Sequence, residues 1–177
     1  RLAMPGVPDI YQGAEGWNLS LVDPDNRHPV DFPTLARDLA APAPEFASDW
    51  ESSRVKMQLV RSLLDDRRRR PELYAAGSYQ PLEVEGPYSA NVLAFARLHT
   101  TGALITAVPR GVAQHLAANQ PPCLGEIFAG TRLLLPDSLR SAEWRELMGQ
   151  RELGLEIDLG RVLDVWPVAV LASDRIN

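Results

Sequence analysis

Residues 11–32, YQGAEGWNLSLVDPDNRHPVDF, gather Glu15, Asp23, Asp25, Asn26, Arg27 and His28 behind Tyr11, Gln12 and Trp17. Ionised carboxylates only accept hydrogen bonds, amides accept and donate, and a guanidinium donates through a planar fork. A second role competes for the same residues. Asp and Asn beside Pro are turn formers, and DPDN can shape a loop through side chain to backbone hydrogen bonds. Other chemistries are poorly represented. His28, His99 and His115 stand far apart, with no Cys or carboxylate at metal-ligand spacing, so no metal site is expected. His99, closing FARLHT, fits a strand-end surface residue. Cys123 lies in a Pro-Pro-Cys loop with no helix start or basic neighbour to favour a thiolate. The chain has no Gly-rich phosphate loop and no Gly-x-Ser-x-Gly elbow.

The polar stretch needs a frame. VPDIYQG, residues 7–13, has the composition of a short strand, opened by Pro-Gly-Val-Pro punctuation and closed by Gly13. Residues 14–32 follow neither a period of two nor one of about 3.6, which predicts a loop. DFPTLARDLAAP predicts a short helix: Asp31 caps it, Pro33 sits in its first turn, Leu35 and Leu39 are four apart, and Pro42 ends it. APAPEFASDWESS reads as a surface linker. Residues 54–69 carry the strongest helical pattern, an apolar stripe of Val55, Leu59, Val60, Leu63 and Leu64 behind Ser53 as N-cap. The run Arg67 to Arg70 closes that helix, where cations offset its dipole.

After Pro71 the texture changes. SYQPLEVEG, NVLAFARLHT, GALITAVPR, TRLLLP, LGLEIDLG and WPVAVLAS are short β-branched or alternating runs split by Gly, Pro, Asn and Asp. Such spacing predicts an antiparallel sandwich or barrel. AEWRELMG suits either a strand or a short helix, and LAANQPPCLGEIFAG a loop. The expected fold class is mostly β, with domains 1–72 and 73–177. The first cannot stand alone, because a lone strand has no independent stability.

The totals exclude several classes. A balance of 45% hydrophobic and 23% charged residues is globular. A net charge of -5 gives no footprint for nucleic acid or an anionic membrane. No apolar run nears the roughly 18 residues of a membrane span, and RLAMPG lacks a signal-peptide core. A single Cys fits a reducing compartment, and cytoplasmic is the expected location.

PGVPDIYQGAE resembles the motif of the α-amylase superfamily, glycoside hydrolase family 13, in which Gly-x-Pro-x-x-Tyr-x-Gly-x-Glu forms strand eight of a (β/α)8 barrel. LSLVDPDNRHPVDF, which follows, is similar to the signature of the maltooligosyltrehalose synthase family within it. The likeness continues through RVKMQLVRSLL, PELYAAGSYQPLEVEG and VLAFAR and fades toward the C-terminus. It implies that residues 7–13 are strand eight of an incomplete barrel and residues 14–32 the loop above its active face. It further implies an enzyme that rearranges the reducing-end α-1,4 bond of maltooligosaccharides to α,α-1,1 by retaining double displacement, without cofactor. The substrate would be an α-1,4-glucan. The implied binding residues are Tyr11, Gln12, Glu15, Asp23, Asp25, Asn26 and Arg27, with Trp17 as an aromatic platform. His28 departs from the pattern, which has a second Arg there, and Gly16 replaces a bulkier residue. The family's nucleophile Asp, acid/base Glu and stabilising Asp follow strands four, five and seven. No catalytic residue is therefore expected here. The chain is expected to be a C-terminal fragment, inactive alone, whose partner is the rest of the barrel.

Two rival readings stand beside this one. The first is a non-catalytic β-sandwich that binds glucan or serves as scaffold, which a wall of exposed aromatic residues would mark. The second is a fragment of another α-amylase-family glucanotransferase, against which LVDPDNR speaks.

Overall fold

In the structure, a computed structural model describing residues 1–174, the runs after Pro71 become nine short strands. They are β1 (Ser78–Pro81), β2 (Glu83–Glu85), β3 (Val92–His99), β4 (Gly102–Pro109) and β5 (Arg132–Leu134), then β6 (Trp144–Glu146), β7 (Glu152–Leu153), β8 (Ile157–Asp158) and β9 (Ala169–Ser173). Six form one antiparallel sheet in the order β1-β3-β4-β9-β6-β7, and three form a second in the order β2-β5-β8. The chain changes sheet between β1 and β2 at Leu82, whose amide still donates to the Ala94 carbonyl at 3.0 Å. β3 and β4 make the longest pairing, from Val92 opposite Pro109 to His99 opposite Gly102. Gly102 has φ +136° and a Cβ there would strike the Ser173 carbonyl, so glycine is what lets β9 approach the hairpin end.

The period of two along the strands gives the large sheet two apolar faces. On one, Ala94, Ala96, Ala103, Ile105, Ala107 and Leu171 pack against Leu133 and Ile157 of the small sheet and against Leu124, Phe128 and Leu163. On the other, Phe95, Leu104, Val170 and Ala172 meet a helical layer. That layer belongs to α3 (Ser53–Arg69) and α4 (Pro71–Ala75), through Leu63, Leu73 and Tyr74, together with Ala3. The remaining helices are α1 (Phe32–Ala40), α2 (Phe46–Asp49), α5 (Asp137–Arg140) and α6 (Leu159–Val162). Burying each large apolar side chain stabilises this three-layer stack by about 1.5–3 kcal/mol.

Two buried polar clusters tie the helical layer to the large sheet. Asp66 of α3 accepts from Arg70 Nη2 at 2.5 Å and from the Tyr74 hydroxyl at 2.6 Å. Burial first, then the Asp66 charge, pushes the Tyr74 pKa up, which keeps its hydroxyl a donor. Arg97, buried in β3, donates to the carbonyls of Ala3, Leu73, Tyr74, Gly77 and Ser78. Burial, followed by the neighbouring Arg67 charge, draws its pKa down.

Several expectations need correction. Residues 7–13 form no strand: Val7 is 96% exposed, and an Ala14 to Tyr11 hydrogen bond of 3.0 Å turns the chain instead. A strand needs a neighbour for its backbone groups, and among the described residues no strand pairs with this segment. The mostly β description suits residues 78–173. Over the described residues, helix at 30% outnumbers strand at 22%. Asp31 caps α1 as expected, but α3 is capped by Ser52, whose side chain accepts from the Arg54 amide. Its buried stripe includes Met57 and Asp66 and leaves Leu64 41% exposed. The linker contains α2, whose Phe46 is buried against Trp166. AEWRELMG supplies strand β6, with Trp144 in the core. Residues 175–177 of the second expected domain lie outside the described residues.

Candidate functional site

The polar stretch folds around a groove of about 860 Å³. Its walls are residues 9–13, 17–19 and 26–32, closed by the first turn of α1. Asp31 fixes that turn, accepting from the Thr34 amide at 3.0 Å and the Thr34 hydroxyl at 2.7 Å. The Thr34 hydroxyl first, then its amide, lowers the Asp31 pKa.

Four of the seven expected binding residues line the groove: Tyr11, Gln12, Asn26 and Arg27, with Trp17 and His28 beside them. Tyr11 is 68% and Trp17 50% exposed, so both rings are open to solvent. Asp23, Asp25 and Glu15 are not among the lining residues. Asp23 forms an ion pair with Arg27, four positions on. Asp25 Oδ2 accepts from the Leu21 amide at 2.7 Å and so ties the loop back on itself, the turn-forming role open to Asp. Glu15 keeps a buried oxygen, Oε2, without a hydrogen-bond partner. His28 Nδ1 lies 3.0 Å from the Asp25 carbonyl, so the Nδ1–H tautomer donates there.

Two further residues, neither of them expected at the site, hold this loop from α3. Ser53 Oγ accepts from the Trp17 amide at 3.0 Å, and Lys56 Nζ donates to the Gly16 carbonyl at 2.9 Å. Lys56 Nζ also stands 5.5 Å from the centroid of the Trp17 ring. The only sequence signal is their spacing of three on one helix turn, which places them on one face.

The same region exposes apolar side chains that nothing covers among the described residues: Val7, Leu19, Leu21, Val22 and Phe32. Among the described residues no group of three His, Cys, Asp or Glu could hold a metal, and no helix is long and apolar enough to cross a membrane. Cys123 is free and exposed.

No protein-family model matches the chain. In sequence it is 43% identical over 96 residues to a curated Mycobacterium tuberculosis protein described as "Putative maltooligosyl trehalose synthase". That match takes in 54% of this chain and 11% of the relative. In fold it is similar to the maltooligosyltrehalose synthase of Arthrobacter ramosus, with a TM-score of 0.72, 30% identity, and coverage of 97% of this chain and 20% of that one. A second solved maltooligosyl trehalose synthase gives a TM-score of 0.62 at 25% identity, over 96% of this chain and 20% of its own. By sequence and by architecture together, this chain is similar to maltooligosyltrehalose synthases, and it spans about a fifth of the length of the solved enzymes.

Proposed function

We propose that the chain is the C-terminal piece of an enzyme that converts the reducing-end α-1,4 bond of maltooligosaccharides to α,α-1,1. Tyr11, Gln12, Asn26, Arg27 and Trp17 converge on one open groove in a chain whose fold matches such enzymes along 97% of its length; that observation carries the reading. Arg27 then donates to sugar hydroxyls through its fork while Asp23 holds it, Asn26 and Gln12 accept and donate, and Tyr11 and Trp17 offer their faces. Asp25 keeps the loop closed, and the free oxygen of Glu15 takes a donor from the rest of the barrel. Residues 1–72 complete that barrel, residues 73–177 form the packing domain, and the exposed Val7, Leu19, Leu21 and Val22 are where the missing strands and helices cover it. The whole protein works in the cytoplasm, as its free exposed cysteine suits.

In this reading the Asp, Glu and Asp that perform the retaining double displacement lie outside the chain. The released glucose stays in the pocket, and its anomeric hydroxyl attacks the glycosyl-enzyme. The test is incubation of purified chain, free of longer polypeptide, with maltopentaose. No non-reducing product is expected, whereas the longer polypeptide carrying this segment makes one. Product from the chain alone refutes the proposal. The rival glucan-binding sandwich has little support, since Tyr74, Phe95, Phe128, Trp144 and Trp166 are buried and Tyr88 is partly so, which leaves Tyr79 exposed but no array of rings on a surface.

A further inference from the structure

We propose that Lys56 and Ser53, on the first turn of α3, are positioning residues that hold Trp17 as a preset wall of the groove, against which a glucosyl ring of an α-1,4-glucan stacks. The inference rests on the function proposed above and adds a specific holding device to it.

Three contacts make the device. Gly16 is buried, and a Cβ at that position would come within 2.9 Å of both Ser53 Cβ and Oγ, so the loop backbone lies directly on the helix. The next amide, that of Trp17, donates to Ser53 Oγ at 3.0 Å. Lys56 then acts twice: its ammonium donates to the Gly16 carbonyl at 2.9 Å and stands over the Trp17 ring, 5.5 Å from the centroid. An ammonium over an indole face is attracted by the ring quadrupole, so it fixes ring orientation as well as backbone position.

The Trp17 ring is half exposed and lines the groove with Tyr11, Gln12 and Asn26. A half-exposed indole ring in a groove that also carries the Gln12 and Asn26 side chains suits the C–H face of a pyranose with its hydroxyls at the rim. Loop residues 14–24 have no regular secondary structure to hold such a ring. Without the clamp, ordering of loop and ring would have to accompany binding, and affinity would fall by that ordering cost. The departure at Gly16 fits the same picture, because a larger residue there would lift the loop off Ser53.

The experiment uses the longer polypeptide that carries this segment, with kcat and KM measured on maltopentaose. Lys56→Met is expected to raise KM about five- to tenfold with kcat within about twofold, the signature of lost binding common to ground and transition states. Lys56→Arg, which keeps both the charge over the ring and a donor, restores KM to within about twofold of the parent. In a Trp17→Ala background, Lys56→Met has no further effect, because the ring it holds is gone. Ser53→Ala raises KM in the same direction and serves if Lys56→Met does not fold. An unchanged KM in both Lys56→Met and Ser53→Ala overturns the inference, as does a full Lys56→Met effect persisting without Trp17. If the parent makes no rearranged product, the function proposed above fails by itself. Calorimetric binding of maltoheptaose to the same variants then decides this inference: a loss of affinity in Lys56→Met that depends on Trp17 supports it, and equal affinities or no binding overturn it.

Discussion

Replacing Asp66 by Ala tests what joins the helical layer to the sheets. Asp66 is 2% exposed and Arg70 8%, and the carboxylate oxygen Oδ2 accepts from both Arg70 and the Tyr74 hydroxyl. Removing one member of a buried ion pair costs about 3–5 kcal/mol, because the charge left behind is neither solvated nor paired. Arg70 is not wholly stranded in the variant, since its Nη1 still donates to the Ala103 and Ser173 carbonyls. That places the expected loss near the lower end, about 3 kcal/mol. Against a total stability of about 5–15 kcal/mol this is a large fraction. Urea unfolding followed by far-ultraviolet circular dichroism measures it. Tyr74→Phe alone should cost about 1–2 kcal/mol, since Asp66 keeps Arg70 but loses one donor. In the Asp66→Ala background Tyr74→Phe should cost clearly less, the two residues sharing one hydrogen bond. A loss below about 1 kcal/mol for Asp66→Ala would refute the argument, because that is the range of a solvent-exposed pair.

Two further outcomes follow from charged groups elsewhere. Arg151 grips the buried Glu146 with Nε and Nη2 at 2.8 Å each, and that hydrogen bonding, with Asp164 second, raises the Arg151 pKa. Arg151→Met should therefore cost about 3 kcal/mol in urea unfolding. Arg132→Met, which breaks the exposed pair with Glu85, should cost about 0–1 kcal/mol; equal losses would contradict this account. Asp31 has a folded-state pKa below its ordinary value, so its cap stabilises α1 above that value and is lost as pH falls through the lowered one. The Thr34 amide resonance should titrate in acid, below about pH 4, in the parent and not in Asp31→Asn. An amide shift that is flat in acid in both proteins would show that the cap does not form.

What could be read in advance divides by the range of the forces involved. The start of α1 was legible because Asp31, Pro33 and Thr34 settle it among themselves within one turn. β3 and β4 were legible because apolar runs of that length, bounded by Gly and Asn, fit little else. Ser52 and Ser53 are equally good caps, so composition could not choose between them. Residues 7–13 show the opposite failure. β-propensity measures how well side chains fit a sheet, not whether a neighbouring strand is present. α4 is only five residues long, too short to show a period. In the candidate site, the polar loop itself was plain from residue types. Which members face the groove was not, because the Asp25 to Leu21 bond depends on the path of the loop. Lys56 meets Gly16 across 40 positions of sequence, and no local pattern announces a contact at that range.

The five carbonyls around Arg97 have one more implication. One of them, Ala3, is 94 positions away in sequence, and the others span α4 and the edge strand β1. Arg67 fastens the adjoining Leu2 carbonyl at 2.7 Å. The strip of chain leading into the groove is thus riveted at its root to the centre of the β-layers. Any lever arm that tilts those layers carries the root of the groove with it, so the sheets act as a jig that sets where the polar loop begins.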